Sequence, residues 1–305
     1  MPDVQSDSVQ LVDVCICTYR RPTVVETLCS VAAQSMPGGV RLRVVVVDND
    51  AMPSAQAIVL ETAGALGLAC RYVHAPGRNI SIARNAALDA ADAALVAFID
   101  DDEVAAPTWI AALLAKQGET GAQIVLGPVR AVYGDGPAWL RQADLHSIRP
   151  VIRAGGVIET GYTSNVLLAR SVMTDAMLGS RFDLALGRTG GEDTCFFARL
   201  HALGARIAFA DDALAHEAVP PHRAWLGWLL KRSFRSGQTH AQLLAERRRW
   251  RPWLVAVAAA KCAYCAAGVL CRAPSPARWR AFAVRTALHA GVVSRLIGVA
   301  AIRIY

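Results

Sequence analysis

Two phosphate-cradling signatures are missing from this 305-residue sequence. No G-x-G-x-x-G follows the first apolar run, and no G-x-x-x-x-G-K-[ST] occurs anywhere. This excludes a dinucleotide-binding fingerprint and a P-loop. Acid is nearly absent from residues 222–305, where 15 Lys and Arg face Glu246 alone, a net +14; residues 1–221 carry 17 Lys and Arg against 24 Asp and Glu, a net −7. The first ten residues, "MPDVQSDSVQ", lack the basic-then-apolar pattern of a secretory signal. A flexible tail over 1–10 and a cytosolic start are expected. Eight cysteines are present, but the single C-x-x-C, Cys262 to Cys265, has no histidine or second pair at zinc spacing. Reduced thiols in a reducing compartment follow, with no disulfide framework.

With 54% apolar residues the chain can bury a sizeable core. "VDVCIC" (12–17), "LRVVVV" (42–47), "CRYVH" (70–74) and "ALVAFI" (94–99) read as short strands. Helical stretches at 23–35, 53–67 and 79–93 alternate with them. This pattern predicts an α/β fold with a doubly wound, mainly parallel sheet. Beyond residue 107 it continues as a helix over 107–117, strands over 122–129, 163–170 and 205–210, and a helix starting near Glu192.

Ligands of such sheets bind outside the carboxyl ends of the strands. Here those ends read "TYRRP", "DND", "APGRN" and "DDDE", all on one predicted rim. Adjacent carboxylates at a strand end repel one another unless a cation sits among them. Mg²⁺ or Mn²⁺, held by one or two carboxylates and completed by substrate phosphates, meets that need and would neutralise a diphosphate leaving group. A solvated acidic turn is the plainer alternative for "DDDE" taken alone; the company of the other three strand ends argues against it.

The ordered set "CTYRRP", "VVDND", "NISIARNAAL", "FIDDDE" and "GGEDTCFFARL" resembles family 2 glycosyltransferases of the GT-A fold, in particular the bacterial exopolysaccharide branch of the succinoglycan glucosyltransferase type. The resemblance covers roughly residues 11–221. It implies that Asp100 meets the ribose side of a nucleotide and Asp102 the metal on the diphosphate; the triple aspartate leaves the register open, with Asp101 the alternative. It places Thr18, Tyr19 and Arg21 against the base. One of Asp48 and Asp50 would hydrogen-bond the uracil or ribose. Arg84 and Asn85 would lie near the sugar nucleotide. Asp193 would be the general base, with Glu192 its neighbour and alternative; acids at a helix start also have an ordinary capping explanation. His216 would complete the metal or diphosphate site, or be structural. "KRSFRSG" (231–237) stands where processive relatives carry Q-x-x-R-W, which favours a single-addition enzyme. Arg232 and Arg235 would reach the diphosphate or face lipid headgroups.

Residues 222–305 read as a basic, amphipathic and apolar helical region. "PWLVAVAAAKCAYCAAGVLC" (252–271) has one charge, Lys261, which costs roughly 2.5–3.5 kcal/mol at a bilayer centre. Helices lying in the interface are expected, with a shallow hairpin or packing on the first domain as alternatives. The arginines interleave with Ala, Val and Leu runs rather than stacking aromatics, so no nucleic-acid partner is expected. The expected partners are a nucleoside diphosphate sugar donor (UDP-linked), a lipid-linked or saccharide acceptor, and the cytoplasmic face of a bacterial inner membrane. A sugar-phosphate nucleotidyltransferase would need a glycine- and lysine-rich loop after the first strand, and "CTYRRP" has neither.

Overall fold

Runs of β-branched residues separated by helical stretches place the first strands side by side. The computed structural model describes residues 9–174, 180–246 and 250–302. Most of the tail expected over 1–10 lies outside the described residues, and strand β1 already begins at Gln10. The chain divides into two compact units. The first runs up to Arg130 and includes 148–187 and 192–217; the second holds 131–147, 188–191 and 218–305.

In the first unit, β1 (Gln10–Thr18), α1 (Val24–Ala32), β2 (Val40–Asp48), α2 (Gln56–Ala65), β3 (Ala69–His74), α3 (Ile80–Ala90) and β4 (Leu95–Ile99) follow in strict alternation. The four strands are parallel, in the order β3-β2-β1-β4. Val14, Ile16, Val44 and Val46 pack on one face with Val24 and Leu28 of α1. Cys15, Val45 and Val47 pack on the other with Ala83 and Ala87 of α3. Both faces are covered, so the strands are apolar throughout rather than alternating.

The chain continues through β5 (Glu103–Ala105), α4 (Trp109–Thr120), β6 (Ile124–Leu126), β7 (Val129–Val132), α5 (Ala138–Ala143), β8 (Asn165–Ala169), α6 (Ser171–Thr174), α7 (Glu192–Ala202), β9 (Ile207–Phe209) and β10 (Ala215–Ala218). The strand expected over 122–129 is two strands, because Gly127 and Pro128 interrupt it and proline has no N–H for the ladder. β8 runs antiparallel to both β4 and β6, while β9 is parallel to β6, which makes a mixed seven-stranded sheet. A small second sheet pairs β5 antiparallel with β10, with β7 alongside. At the amino end of the main sheet the buried Asp13 accepts two bonds from Arg43 and the N–H groups of Asp92 and Ala93. That acid is structural.

The second unit contains α5, α8 (Leu226–Glu246), α9 (Arg251–Cys271) and α10 (Pro276–Leu296). Ala241, Leu254, Ala258, Val292 and Leu296 form its core. Gly237 and Gly291 let α8 and α10 touch backbone to backbone: a Cβ on either would strike the carbonyl of Leu288 or Phe234. α10 has Pro276 in its first turn, and residues 303–305 lie outside the described residues, as do 247–249 before α9. By length and composition α9 is long and apolar enough to cross a membrane despite Lys261, and Tyr264 and Leu270 stand exposed on it.

Candidate active site

The parallel register sets Thr18 beside Asp48 and Asp48 beside His74, so three strand ends share one rim. Asn49 ties their loops together. Its N–H donates to the Thr18 carbonyl (2.9 Å), its Nδ2 to the Ala75 carbonyl (2.6 Å), and its Oδ1 accepts from the Asn79 N–H (2.6 Å). Asp48 is fully buried and accepts from the N–H groups of Asp50 (2.9 Å) and Ala55 (2.8 Å) and from the Tyr72 hydroxyl (2.8 Å). It braces the loop from beneath. Asp50 pairs with Arg20 at 2.8 Å, and that hydrogen bond holds its carboxyl down at about 2.

Tyr19 has two cations near its ring, with the guanidiniums of Arg20 and Arg78 at 5.4 and 5.8 Å from the centroid. Both arginines have left-handed backbones, with φ of 54° and 46°. Such residues are rare outside glycine and cluster at ligand sites.

At the end of β4, one nitrogen of Arg21 donates to Asp101 (2.9 Å) and Asp102 (2.5 Å). Glu103 is buried, and its Oε2 accepts the Asp100 N–H at 3.1 Å, closing the turn. Burial, with Asp102, Asp101 and Glu217 nearby, pushes Asp100 up to about 7 although Arg84 opposes this. Burial and the charges of Asp100 and Glu217 push Glu103 up as well. Five carboxyl groups (Asp100, Asp101, Asp102, Glu103 and Glu217) thus neighbour two arginines here.

On α3, Asn79 caps the helix, its Oδ1 accepting from Ser81 (3.0 Å) and Ile82 (3.4 Å). Asn85 meets Phe182 with both amide atoms: Nδ2 donates to the carbonyl (2.9 Å) and Oδ1 accepts the N–H (2.8 Å). Its amide holds the backbone of Phe182. Arg84 is buried and forms an ion pair with Glu192, with Asp100 at 3.9 Å. Burial works against its charge, but Glu192, Asp100 and Asp193 outweigh it and hold the guanidinium above its ordinary value. Asp193 accepts the Thr194 N–H at 2.6 Å through Oδ1, and burial and Glu192 push it up to about 6.

The structure thus gathers Arg84, Asp100, Glu192 and Asp193, and places Arg21, Thr18, Asp101 and Asp102 together beside them. His216 is set apart from the acids: it pairs with the exposed Val104, whereas Glu217 pairs with Glu103. Opposed residues of an antiparallel pair share a face, so Glu217 and not His216 joins the acidic side. Glu103, Glu217, Arg20, Arg78 and Asn49 were not singled out by the sequence reading. "DDALAHE" hid Glu217 because a strand of four residues carries too little periodicity to read. Among the described residues no three His, Cys, Asp or Glu side chains gather as a preformed metal cage.

The family described as Glycosyl transferase family 2 matches residues 13–173. The chain is 51% identical over 298 residues to the "Succinoglycan biosynthesis protein ExoM" of Rhizobium meliloti (strain 1021), covering 96% of this chain and 95% of that one. In structure it is similar to the mannosyltransferase PcManGT from Pyrobaculum calidifontis, solved in complex with GDP-Man and Mn²⁺ (TM-score 0.62, 21% identity, 93% of this chain and 86% of that one). It is also similar to S. aureus TarS 1-349 in complex with UDP-GlcNAc (TM-score 0.56, 17% identity, 90% of each chain). These likenesses show a GT-A-like α/β fold. With its family match spanning more than half of the chain and a relative identical at half its positions, this chain belongs to glycosyl transferase family 2.

Proposed function

We propose that the chain is an inverting glycosyltransferase that moves one sugar from a nucleoside diphosphate sugar, UDP-linked, to a lipid-linked saccharide in cell-surface polysaccharide synthesis. The observation that carries this reading is the Arg84 bridge, which joins the acidic end of β4 to the acids opening α7. The name of the ExoM relative supports the polysaccharide context.

Asp193 serves as general base. With Oδ1 engaged by Thr194, Oδ2 is the atom to take the proton from the acceptor hydroxyl as that oxygen attacks the anomeric carbon. The diphosphate leaves on the opposite face, so the anomeric configuration inverts. Glu192 is committed to Arg84, which makes Asp193 the better base. Arg84 is placed to meet departing negative charge, as its fork suits phosphate. Thr18, Tyr19, Arg21, Asp50 and Asp101 line the donor side. Asp48 and Asn85 position the loops there.

The surplus of carboxylates over arginines fits a divalent cation that takes phosphate oxygens into its shell. Asp102, with Asp100 or Asp101, would hold Mg²⁺ or Mn²⁺. When bound, the ion supplies neutralising charge to the diphosphate. Residues 11–221 act as the catalytic domain, and residues 222–305 as a membrane-associated region on the cytoplasmic face, held by the apolar surface of α9 and the basic residues around it.

The test is hydrolysis of a panel (UDP-glucose, UDP-galactose, UDP-N-acetylglucosamine and GDP-mannose) with Mg²⁺ or Mn²⁺. A UDP-sugar is expected to be consumed; turnover of none, or of GDP-mannose alone, sinks the donor assignment. Co-sedimentation with anionic vesicles, lost on deleting 222–305, tests the membrane region.

A further inference from the structure

The loop Arg188–Gly191 leads directly into α7 and so sets where Glu192 and Asp193 begin. Two consecutive glycines close it, Gly190 at φ 86° and Gly191 at φ 90°. Glycine populates such conformations without preference, so the loop's own sequence does not hold the base in place.

Arg235 of α8 does. Read from the sequence, this arginine reaches a diphosphate or faces lipid headgroups; in the structure it is 7% exposed and turned onto the loop. Its Nε donates to the Thr189 carbonyl (2.9 Å) and its Nη2 to the Gly190 carbonyl (2.7 Å). Its remaining arm, Nη1, donates to the Thr239 hydroxyl one helical turn on (2.7 Å), which fixes the guanidinium. Thr239 also lies directly against Gly191: a Cβ there would meet its Cγ2 at 2.5 Å and its Oγ1 at 2.7 Å. The loop clusters with the C-terminal helices in the second unit, and the peptide bond after Gly191 carries the chain back into the first.

We propose that Arg235, backed by Thr239, is a positioning residue for the general base: it latches the Thr189–Gly191 loop so that Asp193 starts α7 at a fixed place. The proposal rests on the reading of Asp193 as base. On this reading α8 has a second duty besides membrane association, since it holds the loop from which α7 starts. The planar fork is needed because it reaches two adjacent carbonyls and a hydroxyl at once, which an ammonium does not.

The experiment uses the full chain with Arg235→Ala and Arg235→Lys, and Asp193→Asn as the control for the base. Amide hydrogen exchange across 190–194 and UDP binding are measured, with hydrolysis of whichever nucleotide sugar of the panel the unaltered chain consumes fastest. Both Arg235 variants are expected to exchange faster across 190–194. Their kcat should fall about tenfold to a hundredfold, the scale of a misplacement near 1 Å, with UDP affinity held within about twofold. Guanidinium ion at millimolar concentration should restore kcat to Arg235→Ala but not to Arg235→Lys, where the ammonium occupies the space. Unchanged exchange and kcat overturn the latch. So does a parallel loss of kcat and UDP affinity, the mark of general unfolding. If Asp193→Asn keeps its activity, the base reading fails, and hydrogen exchange alone decides whether Arg235 holds the loop.

Discussion

Arg84 and Glu192 stand 108 positions apart in the sequence and form a buried ion pair, their side chains only 9% and 7% exposed. The pair joins α3, which follows the third strand, to α7, which opens with the candidate base. Sequence-local forces place each helix; this contact fixes their mutual register.

Breaking the pair from one side should cost more than removing it whole. Arg84→Met leaves Glu192 buried without its counter-charge, a loss of about 3–5 kcal/mol. Adding Glu192→Gln to Arg84→Met should recover a substantial part. Urea unfolding of the two variants checks this; equal stabilities would mean that the pair holds nothing.

Activity should follow the protonation of Asp193, which sits at about 6. A base works only when ionised, so kcat/KM is expected to rise with pH through about 6 and then level off. Asp193→Asn should remove that limb along with about 10²–10⁴-fold of rate, with UDP binding kept. The sign for stability is opposite. The folded value lies above the ordinary carboxylate range, so the folded chain prefers the neutral form and this group's contribution falls as pH rises from about 4 to about 6. A pH–rate profile with no limb near 6 would remove Asp193 from the role.

Chelation should abolish turnover, and Mg²⁺ or Mn²⁺ should restore it. Asp102→Asn is expected to raise the metal concentration needed for half-maximal rate by about tenfold or more, in line with one lost anionic ligand. Full activity in the presence of chelator would refute the metal assignment.

Asn49→Ala should loosen the donor side without touching the base. It deletes two bonds of 2.6 Å and strands the Asn79 N–H, which is buried at the start of α3. Loss of about 1–3 kcal/mol is expected, with KM for the nucleotide sugar raised more than kcat is lowered. The comparison of the two kinetic constants is the check.

The rim was legible from the sequence because strand ends are marked by composition: "TYRRP", "DND" and "DDDE" each break an apolar run. The parallel half of the sheet was legible for the same reason. The antiparallel course of β8 was not, since "NVLLA" is buried on both faces and carries no sign of direction. Asp48 and Asp50 looked equivalent in the sequence. Only the fold shows that Tyr72 and two backbone N–H groups occupy the first, while Arg20 takes the second. Arg235 was misread because a cation on an amphipathic helix ordinarily faces water or headgroups, and its partners on the loop are backbone carbonyls, which leave no trace in side-chain identity.

Arg20 and Arg78 keep left-handed backbones, and both bring their guanidiniums near Tyr19. A left-handed residue with a Cβ costs about 1–2 kcal/mol, which glycine would release at either position while removing the guanidinium. Heat tolerance and retention of these two cations therefore pull the positions in opposite directions. A programme that selects the chain for robustness alone would drift toward glycine there and shed the two guanidiniums beside Tyr19 before it lost its fold.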